Sequence, residues 1–138
     1  MVFDLLISSR RNPLVRRLRA LATRAGRTSE EMVLLEGTHL LQELLLKGFG
    51  LKEVVATEHW LERHPHLLAD LDPQIPVRRV TEEVLRASLS TVTPDGVACL
   101  CPLECFPSPS PEACFQLLLD RIQDPGNLGT LLRTALAA

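Results

Sequence analysis

Residues 32–101 alternate between short segments typical of strands and longer segments typical of helices, and this alternation constrains the fold more than any other feature. Apolar, β-branched runs separated by amphipathic runs predict strands joined by helical crossovers. The predicted strands are 32–35, 51–57, 75–80 and 97–101, and the predicted helices are 38–47, 58–70 and 81–89. This order predicts the α/β class, as a small α/β/α sandwich with a mainly parallel sheet.

The first 27 residues form a basic segment in an otherwise acidic chain. They contain seven arginines against one acid, Asp4, a net charge of +6, whereas the rest of the chain carries −8. Asn12 and Pro13 suit the cap and the first residue of a helix. An apolar stripe follows at helical spacing, formed by Leu14, Leu18, Leu21 and Ala25. We therefore expect a basic amphipathic helix that ends at Gly26.

On the residues alone, this basic helix has three open interpretations: it binds RNA phosphates, it lies on a membrane surface, or it is an ordinary solvated face. It carries no aromatic residue of the kind that anchors membrane-surface helices. The candidate RNA-binding residues are Arg10, Arg11, Asn12, Arg16, Arg17, Arg19, Arg24 and Arg27.

Residues 102–115 are rich in proline and serine and are typical of an extended linker. We therefore expect a domain over 1–101, a linker over 102–115, and the beginning of a second domain over 116–138. In the latter, the apolar run 117–119 predicts a buried strand, and the turn residues 124–127 predict a helix capped by Asn127. We expect the apolar stripe of this helix to be covered by the sandwich or by a neighbouring chain, or the helix to be disordered.

On a helical wheel, Arg133 lies among glycine and alanine on the face opposite the apolar stripe of the last helix. The small neighbours would allow a phosphate to approach its guanidinium group closely. A solvated surface arginine is the competing interpretation.

The sequence DPGNLGTLLRTALAA (124–138) resembles the first signature motif of the SpoU/TrmH (SPOUT) family of RNA 2′-O-ribose methyltransferases, Asn-x-Gly-x-x-x-Arg-x-Ala. The matching residues are Asn127, Gly129, Arg133 and Ala135. Three upstream segments are similar to the amino-terminal substrate-binding domain of these enzymes: ISSRRNPLVRRLRAL (7–21), VLLEGTHLLQELL (33–45) and TVTPDGVACL (91–100). The resemblance thus covers almost the whole chain.

This resemblance implies a substrate-binding domain similar to ribosomal proteins that bind kink-turn RNA, followed by the first strand and helix of a knotted catalytic domain. The implied reaction is methyl transfer from S-adenosylmethionine to a ribose 2′-hydroxyl of RNA, in the first place ribosomal RNA. The resemblance places Arg133 near the target ribose, where it helps to activate the hydroxyl, and makes Asn127 part of the same pocket. Transfer RNA as the substrate, or a non-enzymatic RNA-binding module, are the alternatives.

In the family, two further motifs near the carboxyl end of the catalytic domain hold S-adenosylmethionine, and this sequence does not contain them. We therefore expect a truncated chain that binds no cofactor and does not methylate alone. The resemblance further implies that the complete enzyme is a homodimer.

The four cysteines lack the paired Cys-x-x-Cys spacing of zinc sites. We therefore expect no metal site and assign Cys99, Cys101, Cys105 and Cys114 to the core or the linker. No apolar run reaches the length of a membrane span, and the amino terminus does not resemble a secretory signal, so we expect a cytoplasmic protein without membrane contact.

Glu36 and Gly37 directly follow the first predicted strand. We expect the Glu36 carboxylate to accept amide hydrogen bonds at the start of the next helix and to order that turn, rather than to contact RNA, because carboxylates repel phosphate. Gly37 is expected to adopt a backbone conformation that other residues resist.

Overall fold

The structure is a computed structural model that describes residues 5–106, 112 and 115–137. The chain forms two compact units, Met1–Pro107 and Ser108–Ala138, which are described separately below. Most of the predicted linker, including Cys114, lies outside the described residues.

The first unit contains a four-stranded sheet and six α-helices within its described residues. The strands are β1 (Met32–Glu36), β2 (Glu53–Thr57), β3 (Val77–Val80) and β4 (Val97–Pro102). The helices are α1 (Pro13–Leu21), α2 (Arg24–Glu30), α3 (Thr38–Lys47), α4 (Glu58–Arg63), α5 (Pro65–Ala69) and α6 (Glu82–Ser88). A short 3-10 turn, Leu103–Cys105, follows β4.

Helices cover both faces of the sheet, so the predicted α/β/α sandwich is confirmed. Successive residues of a strand point to opposite faces, and the central strands are therefore apolar throughout. Val54 of β2 packs with α3, α4 and α5, whereas its neighbour Val55 packs with α1 and α6. The similarity to ribosomal proteins that bind kink-turn RNA stays a prediction.

The sheet has the order β1-β4-β2-β3, and the predicted mainly parallel arrangement is wrong. β4 runs antiparallel to both of its neighbours, and the one parallel pair is β2 with β3. The reason lies in α6, whose seven residues span only about 10 Å. Immediately after α6, Ser90 donates a hydrogen bond to Glu36 at the carboxyl end of β1. The chain thus enters β4 from the edge at which the other strands end.

The four strands predicted within residues 32–101 all form, with ends that shift by up to two residues. The predicted helix over 38–47 is confirmed, and it ends at Gly48, which has a left-handed φ of 66°. The predicted single helix over 58–70 is wrong, because α4 ends at Arg63 and α5 begins at Pro65. Proline has no amide hydrogen and restricts the residue before it, so it starts a new helix here.

The predicted basic helix is shorter than expected and is followed by a second helix. Asn12 caps α1 as predicted, because its Oδ1 accepts a hydrogen bond from Leu14 N at 2.9 Å. α1 ends at Leu21, since Thr23 caps α2 by accepting from Gly26 N. Gly26 lies against the end of α1: a Cβ atom there would lie 2.0 Å from Ala20 O. The predicted end of the helix at Gly26 is therefore wrong.

In the second unit, the described residues contain one helix, α7 (Pro125–Ala137). The predicted strand over 117–119 is wrong, as residues 115–120 have no regular secondary structure. A strand requires a hydrogen-bonded neighbour, and these residues form no β-ladder with any described part of the chain. Leu118 is correspondingly 93% exposed.

No helix in residues 5–106, 112 and 115–137 combines the length and apolar character that a membrane span requires.

Replacing Leu18 by alanine should test the packing of α1. Leu18 is fully buried between α1 and the sheet, so Leu18→Ala should lower the free energy of unfolding by about 2–5 kcal/mol in urea denaturation. The control, Leu46→Ala, removes a side chain that is 78% exposed and should change this energy by less than about 0.5 kcal/mol. Equal losses would mean that Leu18 contributes no core packing.

Candidate nucleic-acid interface

Helix α1 turns its apolar side to the sheet and its basic side to solvent. Val15 and Leu18 are buried, whereas Arg16 and Arg19 are exposed. The two exposed arginines lie three positions apart, so their side chains are neighbours on one face of the helix. This face therefore presents two guanidinium groups together.

Arg17, between them in sequence, is only partly exposed and bonds to acidic side chains of the protein itself. Its Nη1 donates a hydrogen bond to Glu53 Oε2 at 2.6 Å, and its Nε donates to Glu30 Oε2 at 3.1 Å. Glu53 lies at the start of β2 and is only 6% exposed. Its other oxygen, Oε1, accepts a hydrogen bond at 2.9 Å from Nε of Arg78 on β3.

These ion pairs change the proton affinity of Arg17. Burial alone would lower its pKa, but the hydrogen bonds that Arg17 donates to Glu53 and Glu30 outweigh burial, and the pKa is raised. The guanidinium group therefore stays charged. Next to the pairs lies an open cavity of about 480 Å³, lined among others by Asn12, Arg17 and Arg78.

Two further candidate residues also bond within the protein. Arg10 forms an exposed ion pair with Glu83, with Nη1 and Oε1 3.5 Å apart. Arg27 donates from Nη1 to the carbonyl oxygens of Leu21 and Ala22 at 3.1 and 3.0 Å. Those carbonyls end α1, so Arg27 satisfies acceptors that the helix leaves without partners.

The remaining candidates are exposed, and their side chains have no hydrogen bond or ion pair to any residue that the structure describes. They are Arg11, Arg16, Arg19 and Arg24. Of the eight residues predicted from the sequence to bind RNA, these four thus hold their donors free for a ligand.

The sequence alone does not predict that Glu53, Glu30 and Arg78 lie at this interface. The available signal was weak: Glu53 is the one charged residue in the strand sequence EVVAT, and Arg78 stands in VRRV. A carboxylate at the head of an otherwise apolar strand requires a cationic partner.

Glu36 has the predicted structural role at a different place. Its two carboxylate oxygens accept hydrogen bonds from the backbone N–H and the hydroxyl of both Ser90 and Thr91. The carboxylate therefore orders the loop before β4 and not the start of α3. At that start, Thr38 N instead donates to Asp95 Oδ2 at 2.8 Å, and Gly37 adopts the expected left-handed φ of 111°.

The hydrogen bonds also set the pKa of Glu36. Burial raises the pKa of this carboxyl group, but the bonds from Thr91 and Ser90 more than offset burial, and the net pKa is lowered. The ionised form is therefore stabilised in the folded protein.

In the second unit, the candidate catalytic residues both lie on α7. Asn127 does not cap the helix as predicted, because α7 begins at Pro125 and Asp124 Oδ1 accepts from Asn127 N at 3.0 Å. Asn127 and Arg133 are both exposed. The guanidinium group of Arg133 lies over Gly129, with Nη1 3.2 Å from where a Cβ atom would be. The Arg133 side chain can lie this close to the helix backbone because Gly129 has no side chain.

Two of the cysteines are core residues. Cys99 and Cys101 are fully buried in β4, as predicted. Burial raises the pKa of the Cys99 thiol to about 12 and that of Cys101 to about 11. These thiols are therefore unreactive at neutral pH. Among the described residues, no group of three or more His, Cys, Asp and Glu side chains is placed to hold a metal ion.

Comparison with known proteins identifies relatives of both units. Residues 12–99 match the family model of the MRM3-like substrate binding domain. The chain is 46% identical over 133 residues to an uncharacterized tRNA/rRNA methyltransferase of Synechocystis sp., with 95% of this chain and 48% of the relative covered. It is 34% identical over 137 residues to the 23S rRNA (guanosine(2553)-2′-O)-methyltransferase RlmP of Bacillus subtilis, with 96% of this chain and 50% of the relative covered.

A solved structure is similar as well. The crystal structure of an AdoMet-bound rRNA methyltransferase from Sinorhizobium meliloti superposes with a TM-score of 0.70 at 28% identity. The match covers 98% of this chain and 51% of that one. The chain thus spans about half the length of the relatives that it matches.

The Glu36 cluster predicts a pH dependence of stability. Because the folded pKa of Glu36 is lowered, its contribution is present above the unfolded pKa of about 4.3 and is lost as the pH falls through the folded pKa. Glu36→Gln should therefore destabilise the protein near neutral pH, and its difference from wild type should shrink on acidification in urea denaturation. The control Glu62→Gln, at an exposed site on α4, should have little effect at any pH. A constant Glu36→Gln difference would contradict this account.

Proposed function

The chain belongs to the family of MRM3-like substrate binding domains, and on this premise we propose that residues 1–101 bind RNA for a ribose 2′-O-methyltransferase of the SpoU/TrmH type. Ribosomal RNA is the proposed substrate, as in the name of the Bacillus subtilis relative. Residues 102–115 are proposed as the linker and 116–138 as the start of the catalytic domain.

The four free arginines are the observation that carries this proposal. Arg11, Arg16, Arg19 and Arg24 are exposed and have no partner among the described residues, although acidic residues outnumber basic ones in the chain. Binding of phosphates to such groups releases counterions from the RNA, which supplies affinity without sequence recognition. Exposed arginines on α1 and α2 therefore provide a phosphate-binding face, and sequence selectivity has to come from other contacts.

We propose S-adenosylmethionine as the methyl donor of the complete enzyme, as the name of the Sinorhizobium meliloti structure suggests. The described residues 115–137 are exposed or half-buried throughout, so by themselves they enclose no pocket of cofactor size. They therefore do not fit the cofactor, and its contacts are assigned to sequence beyond this half of the enzyme. From the resemblance to SpoU/TrmH enzymes, we also propose that the complete enzyme is a cytoplasmic homodimer.

Within the complete enzyme, we propose that Arg133 lies at the target ribose with Asn127 beside it. A guanidinium group offers a planar set of donors that matches phosphate oxygens and keeps its charge at all relevant pH values. Bound to the phosphate next to the ribose, it would also stabilise negative charge that develops on the 2′-oxygen.

Reversing charge on the free face of α1 should abolish RNA binding. Arg16→Glu with Arg19→Glu should raise the Kd for a ribosomal RNA transcript at least about 100-fold at low salt, because two phosphate contacts become repulsive. The control Arg63→Glu makes one such charge reversal at an exposed site on α4, on the other face of the sheet, and should leave Kd within about threefold. Fluorescence anisotropy measures both. Equal losses of affinity in both proteins would mean that binding depends on total charge and not on α1. Tighter binding of transfer RNA than of ribosomal RNA would mean that the proposed substrate is wrong.

Replacing Arg133 should separate catalysis from RNA binding. In the full-length enzyme, Arg133→Ala should lower the rate of methyl transfer from labelled S-adenosylmethionine by about 100-fold or more, since a donor to the developing charge is lost. RNA affinity should fall far less than the rate, because Arg133 supplies one phosphate contact and the proposed phosphate-binding face of the first unit supplies the others. Thr134→Ala, at the neighbouring polar and exposed residue of α7, is the control and should retain activity. Unchanged rates for Arg133→Ala would remove Arg133 from the active site.

A further inference from the structure

Arg17 differs in its environment from the arginines beside it. Arg16 and Arg19 are exposed, whereas Arg17 is bonded through Nη1 to Glu53 and through Nε to Glu30. Glu53 also accepts from Arg78. One continuous set of ion pairs therefore joins α1, α2, β2 and β3, which are separate in sequence.

We propose that Arg17 is a positioning residue, which fixes α1 on the sheet through Glu53 and Glu30 so that Arg16 and Arg19 face the RNA, and that Arg17 itself contacts no phosphate. This inference rests on the proposed function, because it divides the basic face into residues that bind RNA and residues that orient them.

The geometry of Glu53 supports this division. Each of its carboxylate oxygens accepts from a different arginine, Oε2 from Arg17 and Oε1 from Arg78, and the side chain is only 8% exposed. If Arg17 turned towards an RNA phosphate, one oxygen of a buried carboxylate would lose its partner. That loss opposes the gain from the new phosphate contact. Arg16 and Arg19 carry no such cost, because they have no partner among the described residues.

This arrangement predicts that removing the negative charge of Glu53 weakens RNA binding. Removing a carboxylate near an RNA-binding face usually strengthens binding, because it removes repulsion of phosphate. Glu53→Gln should instead weaken binding, since the weaker bond to Arg17 lets α1 leave its position. If α1 is correctly placed in only about one fifth of the molecules, Kd rises about fivefold.

The experiment compares two variants of the same charge change. Glu53→Gln and Glu83→Gln each remove one carboxylate, but the partner of Glu83 among the described residues is Arg10, in an exposed pair. The probe is a transcript of the 23S ribosomal RNA segment around guanosine 2553, the position named for the Bacillus subtilis relative. We expect Glu53→Gln to raise Kd about fivefold and Glu83→Gln to leave Kd unchanged or lower it. A lower Kd for Glu53→Gln would overturn the proposal.

The salt dependence of Arg17→Met provides a second test. Loss of a direct phosphate contact would reduce the slope of log K against log salt by about 0.7–0.9. If Arg17 is a positioning residue, Arg17→Met should weaken RNA affinity and leave this slope unchanged. The measurement is made at temperatures at which circular dichroism shows that the variant is folded. A slope reduced by that amount would make Arg17 an RNA ligand.

A measurement on the unmodified chain covers the case in which the variants do not fold. In an NMR titration of arginine Nε–H groups with the same transcript, the Arg16 and Arg19 signals should shift. The Arg17 signal should stay in place, because its Nε–H remains bonded to Glu30. A shift of Arg17 equal to that of Arg16 would contradict the proposal. If wild type binds no RNA at all, the proposed function itself fails, which is a different outcome from a shift of Arg17.

Discussion

The paired charges around Glu53 join four elements that are separate in sequence: α1, α2, β2 and β3. A carboxylate that is removed from water costs several kcal/mol unless cations compensate it. Here the compensation comes from α1 through Arg17 and from β3 through Arg78, at 2.6 and 2.9 Å. Apolar contacts tolerate a helix that slides or rotates slightly, but hydrogen bonds at these distances do not. The proposed orientation of the basic helix face thus depends on the cationic partners of one buried carboxylate.

The strands and several helices could be predicted from the sequence because their signals are local. Apolar runs bounded by turn residues predict the strands, and Gly48 in the left-handed conformation ends α3 where the pattern predicts. The direction of β4 could not be predicted, because alternation of strands and helices does not report how far each helix travels. The seven residues of α6 are too few to cross back over the sheet, and the loop that follows them is bonded to Glu36. The bond to Glu36 is a tertiary contact, which a local sequence pattern does not report.

The candidate site could likewise be predicted only in part from the sequence. The sequence predicts which residues are basic and where they cluster, but not which of them the protein itself uses. Arg17 bonds to residues 13 and 36 positions away, and no local pattern connects them. Arg27 bonds to carbonyls that become available only because α1 ends early at Leu21. The strand predicted over 117–119 failed for a related reason: an apolar run forms a strand only when another strand pairs with it.

The formal net charge of −2 makes the placement of individual arginines more important than the total charge. At physiological salt, charges interact over about 8 Å, so acidic residues farther than this from the face of α1 repel RNA only weakly there. Arg16 and Arg19, at a helical spacing of three that brings Cβ atoms within about 5–6 Å, lie inside that range of each other and would act together on a bound phosphate backbone. Their combined effect depends on α1 being held at a fixed orientation. In a chain without an excess of positive charge, the proposed RNA affinity would come from local geometry and not from net charge, and we propose that the ion pairs of Glu53 supply that geometry.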